Sequence, residues 1–312
     1  MGDVSNGSHR ITALSIVLAL LFSLAYLLLS YWLIGFDGDQ VVLVGMILVL
    51  YFASSITRKF FLGFAVFGVY WVIFDYMKAF PNYKYNPVHI ADLYNFEKHF
   101  FGINFNSKIL TPNEYLRTTG STFLDVLCGI FYLCWIPVPM GFGVYLFFTR
   151  REQYLHFGLT FLLINLIGFV IYYLFPAAPP WYVELYGFKF YPHTHEGIAG
   201  LSKFDDYFHT GVFKSIYSKG SNVFAAMPSL HSAYPVVVFY YSIKNRLGFV
   251  SVILAAVMIG IWFTAVYTSH HYLVDVLAGI TCAITGISIF NVLNKRVRFF
   301  RDFVDGYAKI IE

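Results

Sequence analysis

Two histidines and a carboxylate stand at spacings suited to moving a phosphoryl group. His231 lies in Ala226-Met227-Pro228-Ser229-Leu230-His231-Ser232, and forty residues later comes Tyr267-Thr268-Ser269-His270-His271-Tyr272-Leu273-Val274-Asp275. His271 and Asp275 are four apart, so on a helix they share one face. A carboxylate there holds one ring nitrogen, sets the tautomer and stabilises the imidazolium, leaving the other nitrogen to attack phosphorus. His270 is five from Asp275 and reads as a rim residue. Pro228-Ser229 reads as a helix start, with Ser229 among backbone N–H groups that favour a phosphate. His231 would then protonate the departing oxygen.

The elements that must position these residues are membrane helices. The chain has 312 residues, 58% hydrophobic and 12% charged, with a mean hydropathy of +0.65, which excludes a soluble domain. Crossing a bilayer takes roughly 20 helical residues. Eight apolar runs fall at about 12–34, 40–56, 59–80, 122–148, 155–175, 229–244, 248–267 and 271–293. The second and sixth are short, so seven or six spans with interfacial segments also fit. The expected fold is an all-α, polytopic membrane helical bundle of about eight spans. Residues 1–120 would form N-terminal transmembrane helices and an interfacial helix, and 121–312 the catalytic membrane core. The first run is over-long for a signal-peptide core and lacks a small-residue cleavage site, so it reads as an anchor. Cys128, Cys134 and Cys282 lie within predicted spans and read as packing residues.

Positive charge sets the expected orientation. Arg58-Lys59, Arg150-Arg151, Lys244 with Arg246, and Lys295, Arg296, Arg298 and Arg301 mark alternate connections, whereas the first loop holds only Asp37 and Asp39. Both termini are therefore expected in the cytoplasm. Two long loops, about 81–121 and 176–228, would lie outside, with His231, His271, Asp275 and Asp125 converging at one depth. Ionisable groups within a bilayer are costly unless they have a function.

Residues 86–103 space Ile90, Leu93, Phe96 and Phe100 at helical intervals, as an interfacial helix or as a cover over the core. Asp125 either accepts hydrogen bonds from polyol hydroxyls or caps its helix. Trp181 either walls a headgroup pocket or anchors in the interfacial belt. Asp75 either pairs with Lys78 or reaches the same vestibule, and Lys214 or Lys219 would supply a cation for phosphate. His193-Thr194-His195-Glu196 looks metal-like, but its spacing is short and no further ligand cluster accompanies it, so no metal or cofactor is expected. Basic residues are spread over the cytoplasmic loops, which argues against nucleic acid, and nothing points to a protein partner.

Phe224-Ala225-Ala226-Met227-Pro228-Ser229-Leu230-His231-Ser232 and His271-Tyr272-Leu273-Val274-Asp275 resemble the second and third signatures of the type 2 phosphatidic acid phosphatase superfamily. The leucine before His231, the double histidine, Pro176-Ala177-Ala178-Pro179-Pro180-Trp181-Tyr182, and Phe80-Pro81-Asn82-Tyr83 through Asn86-Pro87-Val88-His89 look more specifically like the inositol phosphorylceramide synthase branch. The resemblance implies a six-helix core with extra N-terminal helices, a site facing away from the cytosol, and no metal. It also implies that His271 forms a phosphohistidine, Asp275 orients it, and His231 is the general acid and base.

The departures matter as much. The superfamily's Lys-x6-Arg-Pro signature is missing, since the chain has no Arg-Pro dipeptide, and Thr264-Ala265 stands where Ser-Arg is usual. A phosphomonoester carries nearly two negative charges and calls for those cations, whereas a diester carries one. The expectation is a lipid phosphotransferase moving a phosphoryl headgroup, inositol phosphate from phosphatidylinositol, to ceramide or a similar lipid alcohol. Its partners would be membrane lipids. The alternative is a phosphatase acting on phosphatidate, a sphingoid phosphate or a polyprenyl pyrophosphate. A transporter fits poorly, because the titratable groups crowd one face and do not continue to the other. Short tails without sorting signals fit a bacterial inner membrane, although a Golgi membrane with the site in its lumen is equally compatible.

Overall fold

All eight apolar runs are helical in the computed structural model, which describes residues 12–218, 220 and 222–312. In lipid, a helix satisfies its backbone polar groups within its own segment. The chain divides into two compact units, residues 1–80 with 302–312 and residues 81–301. Residues 81–120, grouped with the N-terminal helices on sequence grounds, fall in the second unit.

The first unit contains α1 (Ala13–Ile34), α2 (Gly38–Ala53) and α3 (Ser55–Tyr76). Thr12, Asp37 and Ser54 cap their starts. Leu14, Leu18, Leu21, Phe22 and Leu28 of α1 are exposed, as befits a lipid-facing helix. Ser30 and Tyr76 join α1 to α3 through their hydroxyls at 2.8 Å. Asp75 pairs with Lys78 at 2.7 Å, which settles its reading as an ion-pair partner.

In the second unit the predicted 122–148 span breaks into α6 (Thr122–Leu133) and α7 (Pro137–Thr149), because Pro137 cannot continue the preceding ladder. With them pack α8 (Arg151–Leu174), α12 (Leu230–Lys244), α13 (Phe249–Tyr267) and α14 (Leu273–Arg296). Interior to the bundle is α12, with Ser232, Ala233, Val237, Val238 and Tyr241 all buried. Among the described residues six helical stretches are long and apolar enough to cross a membrane. At 16 and 15 residues, α2 and α12 reach only about 24 and 22 Å against a core of roughly 30 Å. These are the second and sixth runs, the two that the sequence marks as short.

Short elements fill the loops: α4 (Ala91–Phe101), α5 (Pro112–Thr119), α9 (Pro180–Tyr186), α10 (Ser202–Phe208) and α11 (Val212–Tyr217). A small hairpin, β1 (Ile103–Phe105) with β2 (Lys108–Leu110), was not foreseen. Last comes α15 (Arg298–Ile311). Three extended segments run side by side at His89, Ala177 and Ala225. His89 donates its N–H to Pro176 O at 2.8 Å, and Ala177 donates to Phe224 O at 2.9 Å. The stretches around Asn86–His89, Pro176–Tyr182 and Phe224–Ser232 thus meet in one backbone layer beside the histidines.

Candidate active site

The starts of α12 and α14 are stitched together by backbone contacts. Ser229 caps α12, its Oγ accepting from Ser232 N at 3.3 Å and from Ser232 Oγ at 3.0 Å. Its N–H donates to Asp275 O at 2.9 Å. Gly279 makes this approach possible, since a Cβ there would lie 2.1 Å from Ser229 O. Ser229 itself is buried, its hydroxyl committed to this cap.

His271 is not on α14 but in the turn ahead of it. The N–H groups of His270 and His271 both donate to Ala265 O, at 3.1 and 3.0 Å. Asn113 of α5 donates from Nδ2 to Val266 O and His271 O, both at 2.8 Å. The position that usually carries arginine thus contributes its carbonyl, and the peptide on either side of His271 is tied to the scaffold.

Nδ1 of His231 lies 3.1 Å from Nε2 of His271, and Nδ1 of His271 lies 2.9 Å from Ala226 O. A carbonyl only accepts, so in the neutral pair Nδ1 of His271 carries the proton and Nε2 presents a lone pair. That lone pair accepts from Nδ1–H of His231. The expected direct bond between Asp275 and the imidazole is corrected: Oδ2 stands 3.7 Å from Nδ1, beyond hydrogen-bond range, and accepts instead from Tyr272 N at 2.8 Å. Because the helix begins at Leu273, the four-residue spacing is not a helical one. The carboxylate, fully buried, acts on the ring through space. The His231 ring meets Trp135 edge-on at 4.3 Å and Tyr132 at 5.3 Å between centroids.

His270 is not a rim residue, being only 5% exposed. Its ring centroid lies 5.3 Å from that of Tyr132 and 4.9 Å from that of Tyr217. Thr268 donates its hydroxyl to Thr264 O, so its oxygen accepts from Nδ1 of His270 at 2.9 Å. Nε2 is left a buried acceptor without a partner among the described residues. Burial, with His271 alongside, lowers the pKa of His270 to about 3.

Asp125 accepts from Tyr267 Oη at 2.8 Å and Lys203 Nζ at 3.3 Å, while Ser121 caps α6. Trp181 is buried against Tyr182 and Phe224, not held at a belt, and its N–H donates to Ser269 O at 3.0 Å. Lys219 lies outside the described residues. Near the metal-like stretch, Glu196 accepts from Asn222 N at 3.3 Å. Sequence reasoning missed Ala226, Asn113 and Glu97. A capping pattern, Thr111-Pro112-Asn113-Glu114, and an acid on the apolar face of α4 were the available signals for the last two.

An all-α membrane bundle with a histidine pair at two helix starts defines the class as an integral-membrane enzyme. The chain belongs to the PAP2 (type 2 phosphatidic acid phosphatase) superfamily, which residues 102–289 match. It is 44% identical over 289 residues to a phosphoinositol dihydroceramide synthase of Bacteroides thetaiotaomicron, spanning 92% of this chain and 95% of that protein. It is 31% identical over 178 residues to the inositol phosphorylceramide synthase of Candida albicans, 55% of this chain and 37% of that protein. With the inositol phosphorylceramide synthase catalytic subunit AUR1 of Saccharomyces cerevisiae it shares 27% over 235 residues, 73% of this chain and 56% of that one. No solved structure matches the chain. It is a lipid phosphotransferase whose substrates are membrane lipids.

Proposed function

We propose that this enzyme transfers inositol phosphate from phosphatidylinositol to ceramide or dihydroceramide, releasing diacylglycerol. The observation that carries the reading is the contact between Nδ1 of His231 and Nε2 of His271 at 3.1 Å; the name of the bacterial relative supports the donor and acceptor. His271 Nε2 attacks phosphorus, the bond to the diacylglycerol oxygen breaks, and that oxygen takes the Nδ1 proton of His231, which acts from its protonated imidazolium form and is left a neutral ring. The ceramide hydroxyl then gives its proton back to Nδ1 of His231 as its oxygen displaces His271 from phosphorus. Ala226 O keeps the reacting tautomer through both steps, and Asp275 stabilises the positive ring.

Nε2 of His270, an acceptor, suits a substrate hydroxyl. Asp125 with Lys203 is the remaining candidate around the headgroup, with Trp181 behind the loop that carries His270, while Ser229 serves by holding the start of α12. The alternation of basic loops supports cytoplasmic termini and a site on the periplasmic or lumenal side.

The test is mass spectrometry of lipids after purified protein meets phosphatidylinositol with ceramide or dihydroceramide, beside His271→Ala. An inositol phosphorylceramide species present with the wild type and absent with the variant is expected. Inositol phosphate or free phosphate without a new lipid would overturn transfer in favour of hydrolysis.

A further inference from the structure

We infer that Glu97 is a positioning residue for the reaction: from α4 its carboxylate grips the first backbone N–H groups of α14 and so sets His271 against His231. The assignment of His271 rests on the proposed function. Oε1 accepts from Leu273 N at 2.8 Å and Oε2 from Val274 N at 3.1 Å. These belong to the unpaired donors at a helix start, where the dipole also favours a carboxylate. Together with Asp275 on Tyr272 N, two acids hold three successive N–H groups immediately after the nucleophile.

A local serine or aspartate caps a helix equally well. A cap delivered from 176 residues away does something more, by tying a separate helix to the reacting turn. Along α4, Leu93 and Glu97 face inward while Phe96 and Phe100 are exposed. Leu93 packs in one cluster with Ala226 and Tyr272. So α4 reaches both ends of the bond that orients the imidazole: Leu93 shares a buried cluster with Ala226, whose carbonyl accepts, and Glu97 holds the residues that follow His271. A carboxylate so placed, 0% exposed, is a poor choice for stability alone.

The test compares Glu97→Gln, Leu273→Pro and the double variant in transfer from phosphatidylinositol to dihydroceramide. Proline is tolerated at the first helical position, and the extended Tyr272, with ψ of 160°, suits the residue before it. Leu273→Pro therefore deletes one donor while Glu97 stays. Each single variant is expected to lose kcat by about 10- to 100-fold, the scale of a sub-ångström to 1 Å misplacement, with KM changed less than about twofold. His271 phosphorylation in a single turnover should slow in step. The double variant should lose no more than the slower single one, because both act on one contact. Wild-type kcat in Glu97→Gln, a rise in KM alone, or losses that multiply would overturn the inference. If Glu97→Gln fails to fold, Leu273→Pro decides by itself: unchanged kcat overturns the inference, and the stated loss supports it. Should the wild type instead release phosphate from phosphatidate, the same variants are compared on that reaction, so failure of the transferase reading leaves this test standing.

Discussion

Gly279→Ala probes whether the seam between α12 and α14 sets the histidine pair. The added Cβ would lie 2.1 Å from Ser229 O and 3.0 Å from its carbonyl carbon. Relieving such an overlap takes about 1 Å, since packed interiors leave little room. Ser229 cannot yield freely, because its N–H is held by Asp275 O at 2.9 Å. The shift therefore passes into the start of α12, where His231 sits two residues on. A 3.1 Å contact between the rings opened by that amount is no longer a hydrogen bond. The expected result is a fall in kcat of about 100-fold and a stability loss of about 1–3 kcal/mol from overpacking. Steady-state transfer rates and thermal unfolding in detergent measure both. The control is Gly141→Ala on α7, where a Cβ meets open space and the rate should stay at the wild-type level. Wild-type kcat in Gly279→Ala would refute the claim that this seam positions the pair.

Asp275→Asn should lower kcat by about 10- to 100-fold, short of the ~10⁴ seen in serine proteases where the aspartate alone sets the tautomer; a full ~10⁴ loss would show that Ala226 O does not hold it. His231→Ala should slow release of poor leaving groups most, so a series of phosphodiesters with increasingly acidic leaving alcohols should progressively recover activity. Equal losses across the series would remove His231 from that step. With its pKa lowered to about 3, His270 stays neutral while an unfolded histidine protonates near 6.5, so stability is lost as pH falls from about 6.5 towards 3. His270→Phe should weaken that acid sensitivity in melting experiments at pH 7, 5 and 4. The pKa of Glu97 is raised to about 7, chiefly by burial with Asp275 adding to it, so folding loses stability as pH rises from about 4.5 to 7. Its other ionisable neighbour is Tyr272. Glu97→Gln should gain relative to wild type across that window, whatever their difference at pH 4.

The helices and the histidine pair were legible because both leave strong local signals. Apolar runs of near-spanning length announce themselves, and titratable residues within them are rare enough to be noticed. The partner of His271 was not legible, since a backbone carbonyl such as Ala226 O has no residue-type signature. Reading His271 and Asp275 as helix neighbours failed for a related reason: Ala265 O, reached across the turn, takes the N–H groups of His270 and His271, and α14 starts only at Leu273. The hairpin escaped because Asn106-Ser107, with φ of 47° and 62°, makes a turn usually marked by Asn-Gly. His270 looked peripheral on helix geometry, yet the positive φ of Ser269, 61°, bends the chain so that its ring is buried against Tyr132 and Tyr217.

The acids of this site work on backbone rather than on imidazole. Asp275 and Glu97 spend three of their four oxygens on the N–H groups of residues 272–274, and the ring of His271 leans on a neutral carbonyl. A carbonyl is a weaker acceptor than a carboxylate, so it stabilises a phosphorylated, positively charged imidazole less and leaves it a better leaving group. Under the proposed reaction that balance is useful. A phosphodiester is exchanged for a phosphodiester and one primary lipid alcohol for another, so the two half-reactions are near mirror images. One proton site, Nδ1 of His231, serves the departing alcohol and the arriving one from the same position. An intermediate held too firmly would favour the first half at the cost of the second, and no cation-rich cradle is called for when phosphorus carries a single negative charge throughout.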